Sequence, residues 1–300
     1  MERLEKLLRE RCPDLELRVN EPMAKHTTFR IGGPAALMAL PKTKMEAVSA
    51  VKTARELEIE PFFLGNGSNL LVADAGYAGF VVKLAGEFEE IREVNRRLEA
   101  GSAVLLSRLS NALLGRSLTG LEFASGIPGS VGGAVTMNAG AYGGEIAQVL
   151  EEVTFLDEKG EVCAIPASEC GLGYRKSIFS SRRCLILKAR FDLEPDDPFA
   201  IKARMDELTE KRRAKQPLEY PSAGSMFKRP PGHFAAALID QCGLKGLTVG
   251  GAQVSEKHAG FVVNRGGAAC ADVLELVRQV QEKVFQQTVV ELEMEVKILK

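Results

Sequence analysis

The sequence predicts an α+β protein of more than one lobe, and three observations predict it. Helix and strand patterns alternate through the first 84 residues, short β-like runs dominate from there to about residue 195, and longer helical patterns return afterwards. The longest uncharged run, Ala124 to Gly144, carries seven glycines and interrupts the regular patterning. "EPDDP", residues 194–198, is an acidic, proline-bounded linker that sets off the C-terminal third.

The elements follow in order. "MERLEKLLRERC" places Leu4, Leu7 and Leu8 at helical spacing and reads as a short amphipathic helix. It has no apolar core of the kind a signal peptide needs, and its glutamates argue against a mitochondrial transit sequence. "AALMALP" is a short apolar strand run. "TKMEAVSAVKTARELEI" opens on the cap candidate Thr43, carries Met45, Val48, Val51, Ala54 and Leu57 on roughly one face, and so reads as a helix. "PFFLG" and "GFVVKL" are strand signals. Further strands are expected from "EIREVN", "RRLEAGSAV", "EEVTFLDEKGEVCAIP" and "CLILKARFDL", with "DEKG" as a hairpin turn and Ser107 to Leu114 as a short helix. After the linker, helices are expected over Phe199–Lys215, stopped by Pro217, over His233–Cys242, capped by Gly243, and over Ala271–Gln287. Short strands are expected near Val249 and Phe261. The terminal "VVELEMEVKIL" alternates as a strand, with Val290, Leu292, Met294, Val296 and Ile298 on one face and Glu291, Glu293, Glu295 and Lys297 on the other.

Composition excludes several classes. The 300 residues are 45% hydrophobic and 26% charged, with a net charge of −1, so neither nucleic acid nor membrane is an expected partner. Aromatics are 6% and Trp is absent, which argues against base-stacking platforms. The uncharged run is long enough for a membrane span, but its glycines, Pro128 and Asn138 make it a loop-rich binding segment instead. Six cysteines include no C-x-x-C pair, so no metal site is expected, and they read as reduced cytoplasmic thiols.

Five stretches carry candidate chemistry. "FFLGNGSNLLV" runs a strand into Gly65, Asn66, Gly67, Ser68, Asn69 and Leu70. Glycines there permit positive φ and close approach of amides to an anion, while a plain polar turn stays open as the alternative. It is neither a Rossmann fingerprint nor a P-loop. "SGIPGSVGGAVTMNAGAYGG" brings Ser125, Gly126, Ile127, Pro128, Gly129 and Ser130, then Gly132, Gly133, Ala139 and Gly140. So dense a glycine run without charge reads as backbone packed against a flat or anionic ligand. "GLGYRKSIF" places Arg175 either on a surface turn or aimed at a carboxylate. "EYPSAGSMFKRP" sets Ser225 on a small-residue turn before Lys228 and Arg229. With His26, His233 and His258 as the only histidines and no G-x-S-x-G elbow, a hydrolytic nucleophile is the weaker reading. Glu295 shares its polar face with Glu291 and Glu293, and spacing alone does not single it out.

Taken together and in order, "HTTFRIGGPA", "LGNGSNLLV", "SGIPGSVGGAVTMNAGAYG", "GYRKSIF", "PSAGSMFKRP", "AGFVVN" and "LEMEVKIL" resemble the UDP-N-acetylenolpyruvoylglucosamine reductases, over nearly the whole chain. The resemblance implies a two-lobed FAD-binding domain of the vanillyl-alcohol-oxidase type plus a smaller α+β substrate domain. The lobes would span residues 1–84 and 85–198, the substrate domain 199–289, and a terminal strand, 290–300, would return to the flavin. The two glycine loops would hold non-covalent FAD. NADPH would reduce the flavin, which would pass hydride to the enolpyruvyl group of a nucleotide-sugar, giving UDP-N-acetylmuramate for peptidoglycan.

Through the same motifs the family's catalytic arginine, serine and glutamate correspond to Arg175, Ser225 and Glu295. Arg175 and Glu295 would polarise the substrate carboxylate, with Glu295 protonated or sharing a proton, and Ser225 would deliver the proton to carbon. Lys215, Lys228, Arg229 and His258 are the implied substrate contacts, although Lys215 reads equally as a helix-end cation and His258 equally as a structural histidine. Only "SSRRC" separates "YRKSIF" from the next strand run, so the chain resembles the shorter subgroup that lacks a tyrosine-bearing substrate loop. A cytoplasmic monomer is expected. A related flavin oxidase and a non-catalytic nucleotide-sugar binder are the rival readings. The lack of His and Cys in the glycine segment argues against the first, since many such oxidases hold FAD covalently through those residues.

Overall fold

The computed structural model describes residues 1–94 and 97–300; Asn95 and Arg96, where "EIREVN" meets "RRLEAGSAV", lie outside the described residues. The chain forms two compact units that do not follow chain order. The first comprises residues 1–19, 37–66 and 79–210, and the second residues 20–36, 67–78 and 211–300.

In the first unit, helix α1 (Glu2–Arg11) buries Leu4 and Leu8 in a core shared with helix α2 (Lys44–Glu56). Thr43 caps α2 as expected. Its hydroxyl accepts from the Glu46 amide while the Glu46 carboxylate reaches back, a reciprocal capping box. Of the face the spacing picks out, Val51 and Ala54 are buried and Val48 and Leu57 pack against the same core, and only Met45 departs. Ala47, Ala50, Val51, Thr53 and Ala54 point inward and Met45 is 81% exposed, because the small residues let the helix lie close against its neighbours. A sheet lying mostly in this unit runs in the order Glu16–Pro22, Pro34–Leu40, Tyr77–Val82, Phe62–Phe63. A second, antiparallel sheet runs Val162–Pro166, Leu150–Leu156, Leu185–Phe191, Arg97–Gly101, Ile91–Val94. Its first hairpin turns at "DEKG", where Gly160 takes φ +75°.

Helices α3 (Leu106–Leu114) and α4 (Val131–Met137) cover that sheet's core. Helix α4 lies inside the run that the sequence reads as loop. Two glycines lower its intrinsic propensity, but Ser130 caps it, Val131, Ala134 and Val135 are buried, and a Cβ at Gly132 would stand 2.9 Å from the Ser102 Cβ. Close packing therefore both demands the glycine and supplies the stability that glycine withholds. Helix α5 (Pro198–Lys215) begins in this unit, where Arg204 binds Glu122 (2.8 Å) and Asp196 (2.6 Å).

In the second unit an antiparallel sheet runs Ser222–Ser225, Phe261–Asn264, Ala252–Val254, Thr248–Val249. Helices α6 (Ala235–Gln241) and α7 (Cys270–Thr288) pack on it, and α7 buries Val273, Leu276, Val277, Val280 and Val284. Gly243, at φ +67°, ends the α6 region. The terminal segment keeps its alternation through Leu292 and Val296, but the regular strand is only Lys297–Leu299, paired parallel with Leu70–Val72. There Leu299 is buried and Ile298 exposed, so the face predicted for Ile298 slips by one residue. Among the described residues no helix is long and apolar enough to cross a membrane.

Candidate active site

The two glycine loops meet within the first unit. The Asn66 amide donates to the Pro128 carbonyl (2.6 Å), and a Cβ at Gly65 would stand 2.7 Å from the Ser130 hydroxyl. Gly65 is thus required for the loops to touch. The Val131 and Gly132 amides donate to Val104 and Ser102, and the Ser130 hydroxyl accepts weakly from Gly133 (3.5 Å). Beside this wall the glycines leave space. A Cβ at Gly133 would meet only the Ser130 hydroxyl, 3.6 Å away, and one at Gly143 would meet nothing. A neutral backbone surface with room for close approach fits a flat, anionic group such as FAD, held without covalent attachment.

Arg175 belongs to the same unit. It sits in the turn of a small hairpin in which Gly173 and Lys176 exchange main-chain bonds of 2.9 and 3.1 Å, and its φ is +54°. A β-carbon in that region costs about 1–2 kcal/mol, and such strain persists where surrounding structure enforces it. The enforcement is visible. Asn138, buried and itself left-handed at φ +41°, donates from Nδ2 to the Gly173 carbonyl (3.2 Å) and accepts the Ala147 amide at Oδ1 (2.9 Å). Ser177 and Ser180 both donate to the Thr136 carbonyl at 2.7 Å, closing the open end of α4. Arg175 Nη1 reaches the Gly140 carbonyl at 3.3 Å. Burial pushes the adjacent Cys170 thiol up to about 11, so it stays protonated.

In the second unit Ser225 and Glu295 converge on one residue. Met226 is fully buried; its carbonyl accepts the Glu295 amide (2.9 Å) and its amide donates to Gly260 (2.8 Å). Phe227 and Met294 form an antiparallel bridge beside them. Ser225 is exposed, whereas Glu295 is half-buried and differs in this from exposed Glu291 and Glu293. Asn69 grips Glu295 from both sides: its Nδ2 donates to the Glu295 carbonyl (3.2 Å) and its own carbonyl accepts from Lys297 (3.1 Å). Gly67, in the same loop, takes φ +62°, and a Cβ there would lie 2.1 Å from the His26 carbonyl oxygen.

The remaining predicted contacts also lie in this unit. Lys215 is exposed in the last turn of α5. Lys228 is ion-paired with Glu293. The Arg229 guanidinium lies 4.0 Å over the Phe234 ring. His258 turns inward, and its Nδ1 accepts the Gly260 amide at 3.1 Å.

Four residues carry parts of this geometry that the sequence did not assign: Asn138, Met226, Thr28, which donates to the Ser222 carbonyl (2.7 Å), and Asn264, which donates to Phe29 (3.2 Å). A signal existed for Asn138, since Asn before Ala-Gly after a short apolar run marks a left-handed helix end. Among the described residues no group of three or more His, Cys, Asp or Glu could hold a metal.

Residues 35–165 match the profile of the FAD binding domain, and the fold with its glycine loops defines a flavoprotein of the vanillyl-alcohol-oxidase type. A solved glucose dehydrogenase, Phl p 4.0202, shares that fold at 16% identity over 75% of this chain and 52% of its own, with TM-score 0.51. Residues 216–299 match the C-terminal domain of UDP-N-acetylenolpyruvoylglucosamine reductase. The reductase of Clostridium botulinum is 48% identical over 281 residues, covering 94% of this chain and 92% of that protein. That of Clostridium perfringens is 46% identical over 294 residues, 98% and 96% of the two chains. The crystal structure of the Thermus caldophilus reductase superposes with TM-score 0.83 at 39% identity, over 95% of this chain and 99% of that one. The chain belongs to the UDP-N-acetylenolpyruvoylglucosamine reductases, FAD-dependent oxidoreductases of peptidoglycan precursor synthesis.

Proposed function

We propose that the protein reduces the enolpyruvyl group of UDP-N-acetylglucosamine enolpyruvate to UDP-N-acetylmuramate, using NADPH through FAD, with Arg175, Ser225 and Glu295 as its catalytic residues. The observation that carries the assignment of residues is the Met226 peptide, which fixes Ser225 and Glu295 as neighbours from positions seventy residues apart in sequence. Bound FAD supplies hydride transfer from NADPH to the substrate's methylene carbon. Gly65, Asn66 and residues of the loop Ser125–Gly140 would hold this group from the first unit, and Gly67, Ser68, Asn69 and Leu70 are the proposed cofactor contacts of the second. The domain limits 1–84, 85–198, 199–289 and 290–300 go with this reading as lobes of cofactor and substrate binding.

Addition of hydride to the methylene carbon leaves electron density on the neighbouring carbon and its carboxylate. Arg175 offers a planar cation to that carboxylate, and its Nη1 rests on the Gly140 carbonyl at 3.3 Å. Glu295, half-buried and fixed through its own amide and carbonyl, polarises the resulting enolate. Ser225 gives its hydroxyl proton to the carbon and recovers one from water. A hydroxyl suffices because the carbon base is far stronger than the alkoxide it generates. Lys215, Lys228 and Arg229 remain the proposed contacts of the UDP-sugar, whereas His258, whose Nδ1 accepts the Gly260 amide, takes the structural reading instead. The short segment after Phe179 leaves the entrance without a tyrosine loop. The enzyme works as a cytoplasmic monomer on a soluble substrate.

Two half-reactions test this. Anaerobic NADPH should bleach the yellow holoenzyme, and the enolpyruvyl substrate should restore its colour. Ser225→Ala should leave bleaching nearly intact and slow colour recovery about 10²- to 10⁴-fold. Equal slowing of both phases would remove Ser225 from the proton-transfer role.

A further inference from the structure

His258 is a partly buried titratable group for which the reaction has no proton-transfer task. Its turn is tightly specified. The Ser255 hydroxyl accepts the Lys257 and His258 amides at 3.2 Å each, the Ser255 amide donates to Phe261 (2.9 Å), and the Phe261 amide donates back to the His258 carbonyl (2.9 Å). The imidazole stands edge-on to the Phe261 ring, 4.9 Å between centroids, and lies against Gly260. A Cβ at Gly260 would meet the ring's Cε1 at 3.0 Å and Ala236 of α6 at 3.2 Å. Gly260 is therefore clamped between the ring and α6, and its amide has the Nδ1 lone pair as acceptor at 3.1 Å. A backbone amide only donates, so Nδ1 must be unprotonated and the ring proton sits on Nε2.

The turn leads directly to the reactive residues. The Gly260 carbonyl accepts the Met226 amide, and the Met226 carbonyl accepts the Glu295 amide. The strand carrying Ser225 has little register of its own. It pairs at Ser222 with Val263 and at Ser225 with Phe261, with an irregularity between, and Gly224 beside it is left-handed at φ +78°. Where Ser225 stands is thus set by Phe261 and Met226, the two residues that the turn holds. We propose that His258 is a positioning residue: its Nδ1 lone pair fixes the Gly260 turn, and through the Met226 peptide that turn sets the places of Ser225 and Glu295.

The proposal rests on the reading of Ser225 and Glu295 given above, and its test separates the two. In the holoenzyme, His258→Ala removes the acceptor, while His258→Asn presents Oδ1 near the place of Nδ1. Amide hydrogen exchange at Met226 and Glu295 should quicken about five- to tenfold in the alanine variant, the worth of one neutral hydrogen bond. Colour recovery with the enolpyruvyl substrate should slow by a similar factor, with bleaching by NADPH unchanged. The asparagine variant should recover most of both. If the alanine variant does not retain flavin, His258→Gln, which keeps bulk but moves the acceptor toward Nε2, carries the same expectation. Unchanged Met226 exchange, or an asparagine variant as impaired as alanine, overturns the brace. If Met226 exchange quickens while Ser225→Ala recovers colour at the wild-type rate, the proton-donor reading of Ser225 falls and the brace is upheld by the exchange data.

Discussion

The hairpin of Arg175 and the segment of Ser225 and Glu295 are held by different kinds of bond. Around Arg175 the braces are side chains reaching main-chain carbonyls and amides: Asn138 to Gly173 and Ala147, and Ser177 and Ser180 to Thr136. Around Ser225 the braces are mostly main chain to main chain, from Gly260 to Met226 to Glu295, with Asn69 and His258 as the side-chain contributors. The first arrangement enforces a strained turn, the second a relaxed ladder. A strained residue needs neighbours of specific chemistry, because any loss lets the turn relax. A ladder tolerates most side chains and is vulnerable where the backbone itself or one of its few side-chain acceptors changes.

The largest expected effect falls on the strained side. Asn138→Ala removes two hydrogen bonds of about 1 kcal/mol each and keeps the β-carbon at positive φ, so holoenzyme stability should fall by about 2 kcal/mol in urea unfolding. Asn138→Gly loses the same bonds but accepts the backbone, and should recover about 1 kcal/mol of that loss. A loss below about 1 kcal/mol for the alanine variant would mean that the hairpin is not held by Asn138.

Arg175 sharpens the contrast. Glycine ordinarily destabilises relative to alanine, but at φ +54° the order should reverse. Arg175→Gly should be more stable than Arg175→Ala by about 1 kcal/mol, while both slow colour recovery by at least about 10²-fold. Equal stability of the two variants would show that the turn relaxes when the guanidinium is gone. The same substitutions at Ser225, which shows no such backbone outlier, should follow the ordinary order.

Much of this was legible before any fold was in view, and the failures have physical causes. Thr43, Pro217 and Gly243 marked helix ends through local chemistry, which sequence carries directly. Glycine density marks two loops that touch where Asn66 meets Pro128 and Gly65 meets Ser130. Helix α4 is hidden because Gly132 and Gly133 speak against helix locally, and only the distant Ser102 explains Gly132. Spacing puts Met45 on the face of Val51 and Ala54, yet it is exposed, while the small residues Ala47 and Ala50 turn inward and allow closer packing. Asn69 donates its side-chain amide to the Glu295 carbonyl, a partner 226 residues away that no local pattern could show. The roles of Arg175, Ser225 and Glu295 came from motif order, since spacing alone left each with a plain surface alternative.

The smallest expected effect separates the two regions by pH. Burial pushes the His258 imidazole below its ordinary value of 6.5; a bond to its own backbone opposes this in part, and the charge of Lys245 adds to it. Lys245 is ion-paired with Asp240 (2.7 Å) and neighbouring Lys257 with Glu219 (3.9 Å). A histidine whose folded value is depressed adds stability above the ordinary value, and that stability is lost as pH falls through the folded one. Acid should therefore place a proton on Nδ1, end its bond to Gly260 and loosen Met226 and Glu295 by under about 1 kcal/mol. The side-chain braces of the Arg175 hairpin, hydroxyls and a carboxamide, do not titrate between about pH 5 and 8. Amide exchange corrected for its intrinsic pH dependence should show protection falling at Met226 and Glu295 toward pH 5, and holding at Lys176 and Ile178. In His258→Asn the difference should vanish. Loss of protection in both regions together, or an unchanged pH profile in the asparagine variant, would place the acid response elsewhere than His258.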